Sequence, residues 1–440
     1  MKRIMTAAAP LVLLACLTAG LGALTPDEVR QHDLPNGLKV LLVPRHNIPS
    51  VALYTFFRVG SRNERVGLTG VSHFIEHMMF NGSKNVPPGE FDRIMEFHGG
   101  SNNAYTGDDM TAYTDWFPPE ALEPMIRIEA DRMQGLRFDP KVLESERSVV
   151  ANERRLTTEN DNRSLLNEHL RATAIMAHPY HWDVIGWMSD ILSWRRDEIV
   201  AYYRTYYAPN NAVLILVGDF DPARAIGLIR KHFGAIRRVP PPPPVSTVEP
   251  PQMGIRRVVV RKQSQAPLLM LAFRGVACTD KDFPALQALE SALLDGESSR
   301  LYRRLVWQEQ SALSVRGGIE ENLDPYLFTI VVQPKPGADL ALVERQVLEE
   351  IEKVRTDGVS EREVQKAVNG IRSAHYRRLQ SQADIANALG RAELLHGDWK
   401  KLFDFSARYD KLGPEAVRGA AARYLVEDAL TVGTLIPKEN

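Results

Sequence analysis

The sequence predicts an α+β protein built from two homologous α/β sandwich domains, each a mixed sheet with helices packed on it, joined by a proline-rich linker. Three features support this class. The 440-residue chain is 44% hydrophobic and 25% charged, which suits two or three soluble domains with sizeable cores. Short β-like runs with hairpin-like connections are mixed with amphipathic helices. The second half of the chain also repeats features of the first half.

The repeat has a nearly constant register. Phe57 and Phe273 end similar strands that each begin after a proline, and they lie 216 residues apart. Tyr207 and Tyr424 each lead into an apolar run, and they lie 217 residues apart. A register that holds over most of each half indicates a duplicated domain.

The domain boundaries follow from the proline content. Pro240–Pro244 is a stiff, extended run that suits neither a helix nor a central strand. We therefore expect an N-terminal domain over residues 25–236, a linker over 237–254 and a homologous C-terminal domain over 255–440.

Strands are predicted where β-branched, aromatic and other apolar residues cluster between turn residues, and helices where apolar residues recur every three or four positions. The predicted strands are Leu38–Val43, Val51–Val59, Thr111–Trp116, Val213–Val217, Arg257–Arg261 and Leu268–Phe273. The predicted helices are Val71–Phe80, Pro88–His98, Pro118–Gln134, Pro140–Leu156, Arg196–Tyr207, Phe283–Leu294, Ser299–Gln308, Ala341–Thr356 and Glu361–Leu395, the last of which we expect to be broken.

Composition excludes several classes of protein. The formal net charge is -1, so no overall basic field exists to hold nucleic acid or an anionic membrane. Two cysteines are too few for a disulfide scaffold. No glycine-rich phosphate loop follows a predicted strand, which argues against nucleotide chemistry.

Residues 1–24 predict a secretory signal peptide, because Lys2 and Arg3 precede an apolar stretch that ends in small residues. A membrane anchor is one alternative, since the stretch is nearly long enough to span a bilayer. The other alternative is lipidation of Cys16, because Leu13–Cys16 resembles a bacterial lipoprotein cleavage box. We expect an exported, periplasmic protein that touches a membrane only if Cys16 is lipidated.

The residues that carry chemistry lie in the segment His73–His77. On a helix, His73 and His77 are one turn apart on one face, with Glu76 between them. Two imidazoles at this spacing can ligate one zinc ion, and a neighbouring carboxylate can hold and deprotonate a water. The order of the residues is the inverted form of a common zinc-protease motif. The flanking residues Phe74, Ile75, Met78, Met79 and Phe80 make the helix apolar nearly all round, so we expect the polar stripe to be buried.

A catalytic zinc needs a third protein ligand, and the helix around residues 143–153 offers two carboxylates. Glu146 and Glu153 share one face with apolar neighbours such as Val149. Two acids on such a face suggest that a cation meets them. The residues alone leave an alternative open, which is an ion pair with Arg147 or Arg154.

Nearly the whole chain after the signal peptide resembles the pitrilysin family of inverted-motif zinc peptidases, in its short single-subunit branch that includes mitochondrial processing peptidase. The quoted motif lies in a segment from Gly70 to Gly82 that is similar to the family's opening, and Leu34–Leu38, His178–Tyr180 and Gly218–Phe220 resemble other family signposts. The resemblance implies a clamshell dimer of which this chain is one half.

The resemblance also implies roles for five residues. The family's third ligand lies about 76 residues beyond the second histidine, which here is Glu153. His73, His77 and Glu153 are then the zinc ligands, Glu76 is the general base, and Glu146 is an acid that supports the ligands.

A substrate strand is implied as well. Residues 99–106 resemble the family's edge strand, to which an extended peptide adds by main-chain hydrogen bonds. Asn103 and Ala104 would be the contacts nearest the scissile bond. A plain hairpin around Gly107–Asp109 is the alternative.

The second half departs from the family pattern twice. The repeat offset places Leu289, Ala292 and Leu293 where His73, Glu76 and His77 stand, so we expect no zinc site there. Active relatives carry an arginine and a tyrosine in this half, and Val306 and Leu313 occupy those positions. Because neither side chain can donate a hydrogen bond, the oxyanion would lack donors.

These departures suggest that a different partner subunit supplies the arginine and tyrosine. A homodimer is the rival, in which one or more of four nearby residues substitute: Arg300, Tyr302, Arg303 and Arg304. The expected function is a zinc metalloendopeptidase acting on extended or unstructured peptides. The alternative is a non-catalytic peptide-binding or assembly subunit with a structural zinc.

Overall fold

The computed structural model describes residues 24–264 and 266–438. The predicted signal peptide, with Cys16, lies outside the described residues except for Leu24. No helix in the described ranges has both the length and the apolar character needed to cross a membrane.

The first half of the described chain forms one six-stranded mixed sheet in the order β1-β2-β6-β3-β5-β4. Its elements are β1 (Arg30–Asp33), β2 (Lys39–Pro44), β3 (Val51–Phe57), α1 (Val71–Met78), α2 (Glu90–Phe97), β4 (Ser101–Thr106), β5 (Thr111–Phe117), α3 (Leu122–Gly135), α4 (Pro140–Arg154), α5 (Asn162–Ala174), α6 (Met188–Ser193), α7 (Arg196–Tyr206), β6 (Ala212–Gly218) and α8 (Pro222–Phe233).

The second half forms a five-stranded sheet within the described residues, in the order β7-β11-β8-β10-β9. Its elements are β7 (Arg256–Lys262), β8 (Leu268–Arg274), α9 (Phe283–Leu294), α10 (Arg300–Tyr302), β9 (Ala312–Ile319), β10 (Leu327–Pro334), α11 (Leu340–Asp357), α12 (Glu361–Arg377), α13 (Gln382–His396), α14 (Phe405–Tyr409), α15 (Pro414–Tyr424) and β11 (Leu430–Pro437).

The two sheets have the same topology once β1 is set aside. In each sheet the first long strand pairs in parallel with the last one, β2 with β6 and β7 with β11. The other neighbours are antiparallel, as β3 with β5 and β8 with β10 show. The predicted class, two homologous sheet-and-helix domains, is confirmed.

The halves exchange one helix each. α5 follows α4 in the first half but packs on β7, β8 and β11 of the second sheet. α13 belongs to the second half but packs on β3 and β6 of the first sheet. Leu166 and Leu170 of α5 are buried with Leu268 and Met270 of the second sheet, so each half completes the core of the other.

Most predicted elements are present with shifted ends. The long helix expected over 361–395 is broken between α12 and α13, and the helix expected over 299–308 is a short turn continued by a wider π-helical segment, Arg303–Gln308. Residues 237–254 contain no helix or strand, and Glu249 in this stretch accepts hydrogen bonds from the backbone N–H groups of residues 176–178. The unexpected strands are β1, β9, β10 and β11, and the unexpected helices are α5, α6, α8, α14 and α15.

Candidate metal centre

Contacts at the N-terminus of α1 fix the position of the helix, and with it the position of its polar stripe. Gly70 precedes it with φ +83°, and a Cβ there would lie 2.3 Å from the carbonyl oxygen of Ile185, so only glycine fits. The buried Glu64 carboxylate accepts hydrogen bonds from the backbone N–H groups of Gly70 (2.7 Å) and Ser72 (2.8 Å). These bonds satisfy donors that the first helical turn leaves free.

The apolar side of α1 is buried, as predicted, while its polar stripe is only partly so. Phe74, Ile75 and Met78 are inaccessible to solvent. The side chains of His73 and His77 keep 13% and 22% of their exposure. The stripe therefore remains partly accessible to solvent, which differs from the burial that the sequence predicts.

α4 carries the two acids predicted to meet the histidines, and its arginines point elsewhere. Arg147 donates to the backbone carbonyls of Ile191 and Trp194, and Arg154 pairs with Glu168 at 2.7 Å. In the described structure neither arginine pairs with Glu146 or Glu153, so the ion-pair alternative is wrong.

One detail of the α4 prediction is also wrong. Val149, expected on an apolar face with the two acids, is 46% exposed. The acids lie at the border between the buried side of α4 and solvent, where their oxygens can face α1.

His73, His77 and Glu153 converge on one point. The Nε2 atoms of the two histidines are 3.3 Å apart, and Glu153 Oε2 lies 3.4 Å from Nε2 of His77 and 3.7 Å from Nε2 of His73. Nitrogen and oxygen ligands of a tetrahedral zinc, bonded at about 2.0–2.2 Å, are separated by about 3.3–3.5 Å. Among the described residues these three form the one group with metal-ligand spacing.

The unsatisfied atoms of the group fit a metal. Glu153 Oε2 is buried and accepts no hydrogen bond from the described protein atoms, a costly state for a carboxylate unless a cation meets it. Two imidazoles and one carboxylate are also a donor set that catalytic zinc sites use. The residues present therefore fit zinc.

Glu146 contacts the Nδ1 side of the His77 ring, opposite the proposed metal-binding nitrogen. Its Oε1 lies 2.8 Å from His77 Nδ1, and its Oε2 accepts from Asn81 Nδ2 at 3.0 Å. A carboxylate at Nδ1 selects the tautomer that leaves Nε2 free to bind a metal. Asn81 also donates to the carbonyl of His77, and it was missed in the sequence because an asparagine one turn after a motif carries no signal of its own.

The charges on the two histidines differ. Burial, and to a smaller extent the neighbouring His77, lower the pKa of His73 to about 4. Burial also lowers the pKa of His77, but its hydrogen bond to Glu146 and the nearby Glu153 outweigh burial and raise the pKa to about 9. In the chain without a metal, the His73 imidazole is neutral near pH 7, and the His77 imidazole is protonated and faces Glu146 and Glu153.

Glu76 faces β4. Its Oε2 accepts a 2.5 Å hydrogen bond from the Thr106 hydroxyl of β4. Burial raises the pKa of Glu76, and this hydrogen bond opposes the rise. Thr106 was not identified as a functional residue, although it ends the segment that resembles the family's substrate strand.

The comparisons agree with this geometry. A zinc protease named PqqE, from Helicobacter pylori, is 30% identical to this chain over 433 residues, which cover 97% of each sequence. The profile of the insulinase family, peptidase family M16, matches residues 39–186, and the profile described as the peptidase M16 inactive domain matches residues 193–371. This chain belongs to the M16 peptidase family.

A solved structure and a second sequence extend the family likeness. A crystal structure of a protease from Helicobacter pylori superposes with a TM-score of 0.88 at 30% identity, covering 93% of this chain and 99% of that one. A probable mitochondrial-processing peptidase β subunit from Arabidopsis thaliana is 24% identical over 452 residues, covering all of this chain and 83% of that sequence. The resemblance inferred from the motifs is therefore confirmed.

The strand that resembles the M16 substrate strand, β4, has a free side in the described structure. β4 lies at the end of the first sheet and pairs with β5 alone. Asn103 and Ala104 lie in the middle of β4, opposite Thr114 and Tyr113 of β5. The alternative hairpin is present too, because Gly107 N–H donates to the Met110 carbonyl in the β4–β5 turn, yet it leaves the outer edge of β4 unpaired.

The second M16 half has a different interior. Leu289, Ala292 and Leu293 on α9 are buried in the apolar core, so no metal ligands stand at these repeat positions. Val306 is half-buried in the π-helical segment, and Leu313 on β9 is 53% exposed. These side chains offer no hydrogen-bond donor.

The nearby arginines are mostly engaged. Arg300 forms a two-bond ion pair with Glu363 of α12 at 2.7 and 2.8 Å, and Arg304 pairs with Glu349 of α11. Tyr302 packs edge-to-face on Trp307. These ion pairs occupy two of the four residues considered as substitutes, Arg300 and Arg304.

Proposed function

We propose that this chain is a zinc metalloendopeptidase that hydrolyses extended or unstructured peptides. The observation that supports this most is that His73, His77 and Glu153 converge at the spacing of tetrahedral zinc ligands. Glu76, the residue before His77 on α1, supplies a carboxylate beside them. The names of the M16 relatives as zinc proteases support the same interpretation.

Zinc, when bound by His73, His77 and Glu153, would polarise a peptide carbonyl and lower the pKa of water. Glu76 would hold the proton that such chemistry releases and pass it to the leaving amine. The Thr106 hydroxyl keeps the Glu76 carboxylate aimed at the end of β4. An extended peptide would pair with the free edge of β4 around Asn103 and Ala104, which favours broad sequence tolerance.

The chain would act as the zinc-bearing subunit of a heterodimer. Val306 and Leu313 cannot stabilise an oxyanion, and loss of one such donor costs about 3–4 kcal/mol of transition-state stabilisation. A partner subunit that carries an arginine and a tyrosine would restore these contacts. A homodimer is the competing arrangement, with Arg303 the least engaged of the residues that could substitute.

We place the protein outside the cytoplasm, in the periplasm, on the signal-peptide features of residues 1–24. Attachment to a membrane would require lipidation of Cys16. Mass spectrometry of the exported protein tests both points. Cleavage near residue 24 would support an ordinary signal peptide. Cleavage before Cys16 with added acyl mass would support a lipoprotein instead.

The decisive assay uses the zinc-loaded mature chain, without a partner, on a library of quenched fluorescent peptides. Cleavage that a chelator stops would support the peptidase and overturn the need for an unlike subunit. Bound zinc with negligible cleavage would support the missing partner, and activity should then appear when an M16 subunit with the arginine and tyrosine is added.

Glu76→Gln tests the chemistry itself. We expect hydrolysis to fall at least about 100-fold, as the loss of a general base does, with zinc content and thermal stability unchanged. The active form, alone or with its partner, is the reference for this comparison. Unchanged hydrolysis would remove Glu76 from the mechanism.

A second candidate function is a non-catalytic peptide-binding or assembly subunit with a structural zinc. The missing donors at Val306 and Leu313 favour it. It would be supported if no partner restores cleavage while removal of zinc unfolds the chain.

A further inference from the structure

The substrate strand has two faces with different surroundings. Thr106 points to the α1 side, where it meets Glu76. The preceding residue, Tyr105, points to the opposite side, where its hydroxyl donates to Asn387 of α13 at 2.8 Å. Ala104 packs with the core on the α1 side, and Tyr105 packs with the core that includes α13. This alternation is that of a regular β-strand.

A cavity of about 620 Å³ lies on the α13 side. Tyr105 of the substrate strand forms one wall, and α12, α13, α14 and the 3₁₀ turn Trp399–Phe403 form the others. Four permanently charged cations line it, and they are Arg378, Arg391, Lys401 and Arg408. Glu321 and Asp384 are the acids among its lining residues.

The cations are not all neutralised by these acids. Arg391 pairs with Glu321 at 3.1 Å, and Lys401 pairs with Asp404, which lies outside the cavity lining, at 2.9 Å. Arg408 donates to the backbone carbonyl of Cys278 at 3.0 Å, so the cations without an acidic partner in the described structure are Arg378 and Arg408. Arg378 is exposed, and its guanidinium makes no hydrogen bond or ion pair within the described part of the chain. Asp384 accepts from Ser381 at the start of α13.

The histidines do not change this balance near neutral pH. Burial lowers the pKa of His375 and that of His396, and the neighbouring arginines add to the effect. Both rings are therefore neutral, and the cavity carries more positive than negative charge. A partly enclosed site of this kind attracts carboxylates more strongly than an open surface does.

A peptide that adds to β4 would place its side chains alternately on the two faces of the sheet. Those on the α1 side would lie near Glu76 and the proposed zinc ligands. Those on the opposite side would lie beside Tyr105, at the wall of the cationic cavity. We propose that this cavity takes an acidic side chain of the bound peptide, and so selects substrates with Asp or Glu at alternate positions.

This inference rests on the proposed function, since it requires a peptide on β4. It is tested with the active form of the enzyme on an otherwise neutral peptide, in which one Glu is moved stepwise along the sequence and compared with Gln at the same position. We expect Glu to raise kcat/KM about tenfold at every second position and to have little effect between them. The preference should weaken as salt is added.

Arg378→Gln should remove most of the Glu preference, and Arg378→Glu should reverse it in favour of Lys. Arg377→Gln is the matched control, because this neighbour is also exposed, ends the same helix and bonds only to Ser373 among its side-chain contacts. Arg377→Gln should leave both the Glu preference and the cleavage of the neutral peptide unchanged. A preference without period two, or one that Arg378→Gln leaves intact, would overturn the inference.

Peptide binding to the zinc-loaded Glu76→Gln variant, measured by fluorescence anisotropy, separates the two proposals. If the Glu peptides bind more tightly than the Gln peptides but no form of the enzyme cleaves them, the cavity assignment stands and the peptidase fails. If the peptides are cleaved without a charge preference, the peptidase stands and the assignment fails. If no peptide binds the variant, alone or with its partner, and no form of the enzyme cleaves one, both are overturned.

Discussion

At the scale of single residues, the contacts of His77 explain why an acid outside the proposed ligand set matters. Glu146 holds the Nδ1 side of the imidazole, and Asn81 holds Glu146. Asn81 lies about one helical turn after His77, and Glu146 lies about two turns before Glu153. Only the folded structure brings the two side chains together at His77. The general need for such support is a property of histidine ligands, whose second nitrogen must be satisfied.

We expect Glu146→Gln to weaken zinc binding about 10–100-fold, because the amide no longer fixes the tautomer of His77. Competition with a chromophoric chelator measures the change. Glu144→Gln on the same helix is the control, since the Glu144 side chain is exposed and pairs with Arg147, and its zinc affinity should match the wild type. An equal affinity for both variants would contradict the role given to Glu146.

Glu64 provides the second prediction at this scale. Its carboxylate satisfies two backbone donors at the start of α1, and glutamine offers only one acceptor in the same volume. A buried donor without a partner costs about 1–3 kcal/mol, so Glu64→Gln should lower the free energy of unfolding by that amount. Denaturant titration measures it. Glu90 is a partly exposed acid in the first turn of α2 that pairs with Arg93 at the surface, and Glu90→Gln should change stability by less than about 0.5 kcal/mol. Similar losses in both variants would argue against the capping role.

At the scale of elements, the exchanged helices α5 and α13 decide how the two halves hold together. Gly390 of α13 packs on the ring of Phe56 in β3, and a Cβ at this position would come within 2.1 Å of that ring. The helix can approach the sheet this closely only because residue 390 has no side chain. Local sequence favours a helix over 382–396 whatever it packs on, so this contact could not be predicted from the pattern.

Gly390→Ala should therefore destabilise the protein by about 1–3 kcal/mol, the usual cost of overpacking. Gly370→Ala is a matched control, because Gly370 is also helical but a Cβ added there would meet no heavy atom within 4 Å. That change should be neutral or stabilise by up to about 1 kcal/mol through helix propensity. Thermal melting of the two variants measures the difference, and equal melting temperatures would show that α13 does not press on β3.

At the scale of the whole molecule, a polar network joins the two halves at their equivalent hairpins. Asp324, between β9 and β10, accepts from Arg62 at 2.6 Å and contacts His178 at 3.0 Å. Asp109, at the β4–β5 turn, accepts from Tyr180 at 2.6 Å and from the Leu323 N–H at 3.0 Å. Like the exchanged helices, this network holds the two halves together. We infer that the halves fold as one unit.

The network gives stability a defined pH dependence. Burial raises the pKa of Asp324, but the bonds with His178 and Arg62 outweigh burial and hold the pKa at about 2. Because this value lies below that of an unfolded aspartate, the group stabilises the fold above about pH 4 and loses this effect as the pH falls towards 2.

Asp324→Asn should cost about 1–2 kcal/mol near pH 6, and the difference from the wild type should shrink as the pH falls below about 4. Chemical denaturation at several pH values measures it. Asp197→Asn is the control, since its pair with Arg195 is exposed on both sides. A cost that stays constant down to about pH 3 would mean that the charge of Asp324 does not stabilise the joined halves.

Much of the fold could be predicted because it is local. The apolar runs of β2, β3 and β6 and the periodic pattern of α1 and α9 lie within single segments, so their elements were placed to within a few residues. β9 was missed because its two glycines, Gly317 and Gly318, weaken the strand pattern. The helical pattern of α5 is local and was overlooked. Its packing on the second sheet could not be predicted, because nothing in a first-half segment signals a surface contributed by the other half.

The sequence by itself determined the duplication, the proline-rich connection and the pairing of His73, Glu76 and His77 on one helix, since each depends on spacing along the chain. Tertiary structure decided what meets that helix. The residues alone left Glu153 free to pair with an arginine, and packing of α4 on α1 brought its oxygen to 3.4 Å from His77. Packing of β4 on α1 set Thr106 against Glu76, and packing of α12, α13 and α14 formed the cationic cavity behind Tyr105. Such contacts between distant segments depend on how complete elements fit together and not on the preferences of any one of them.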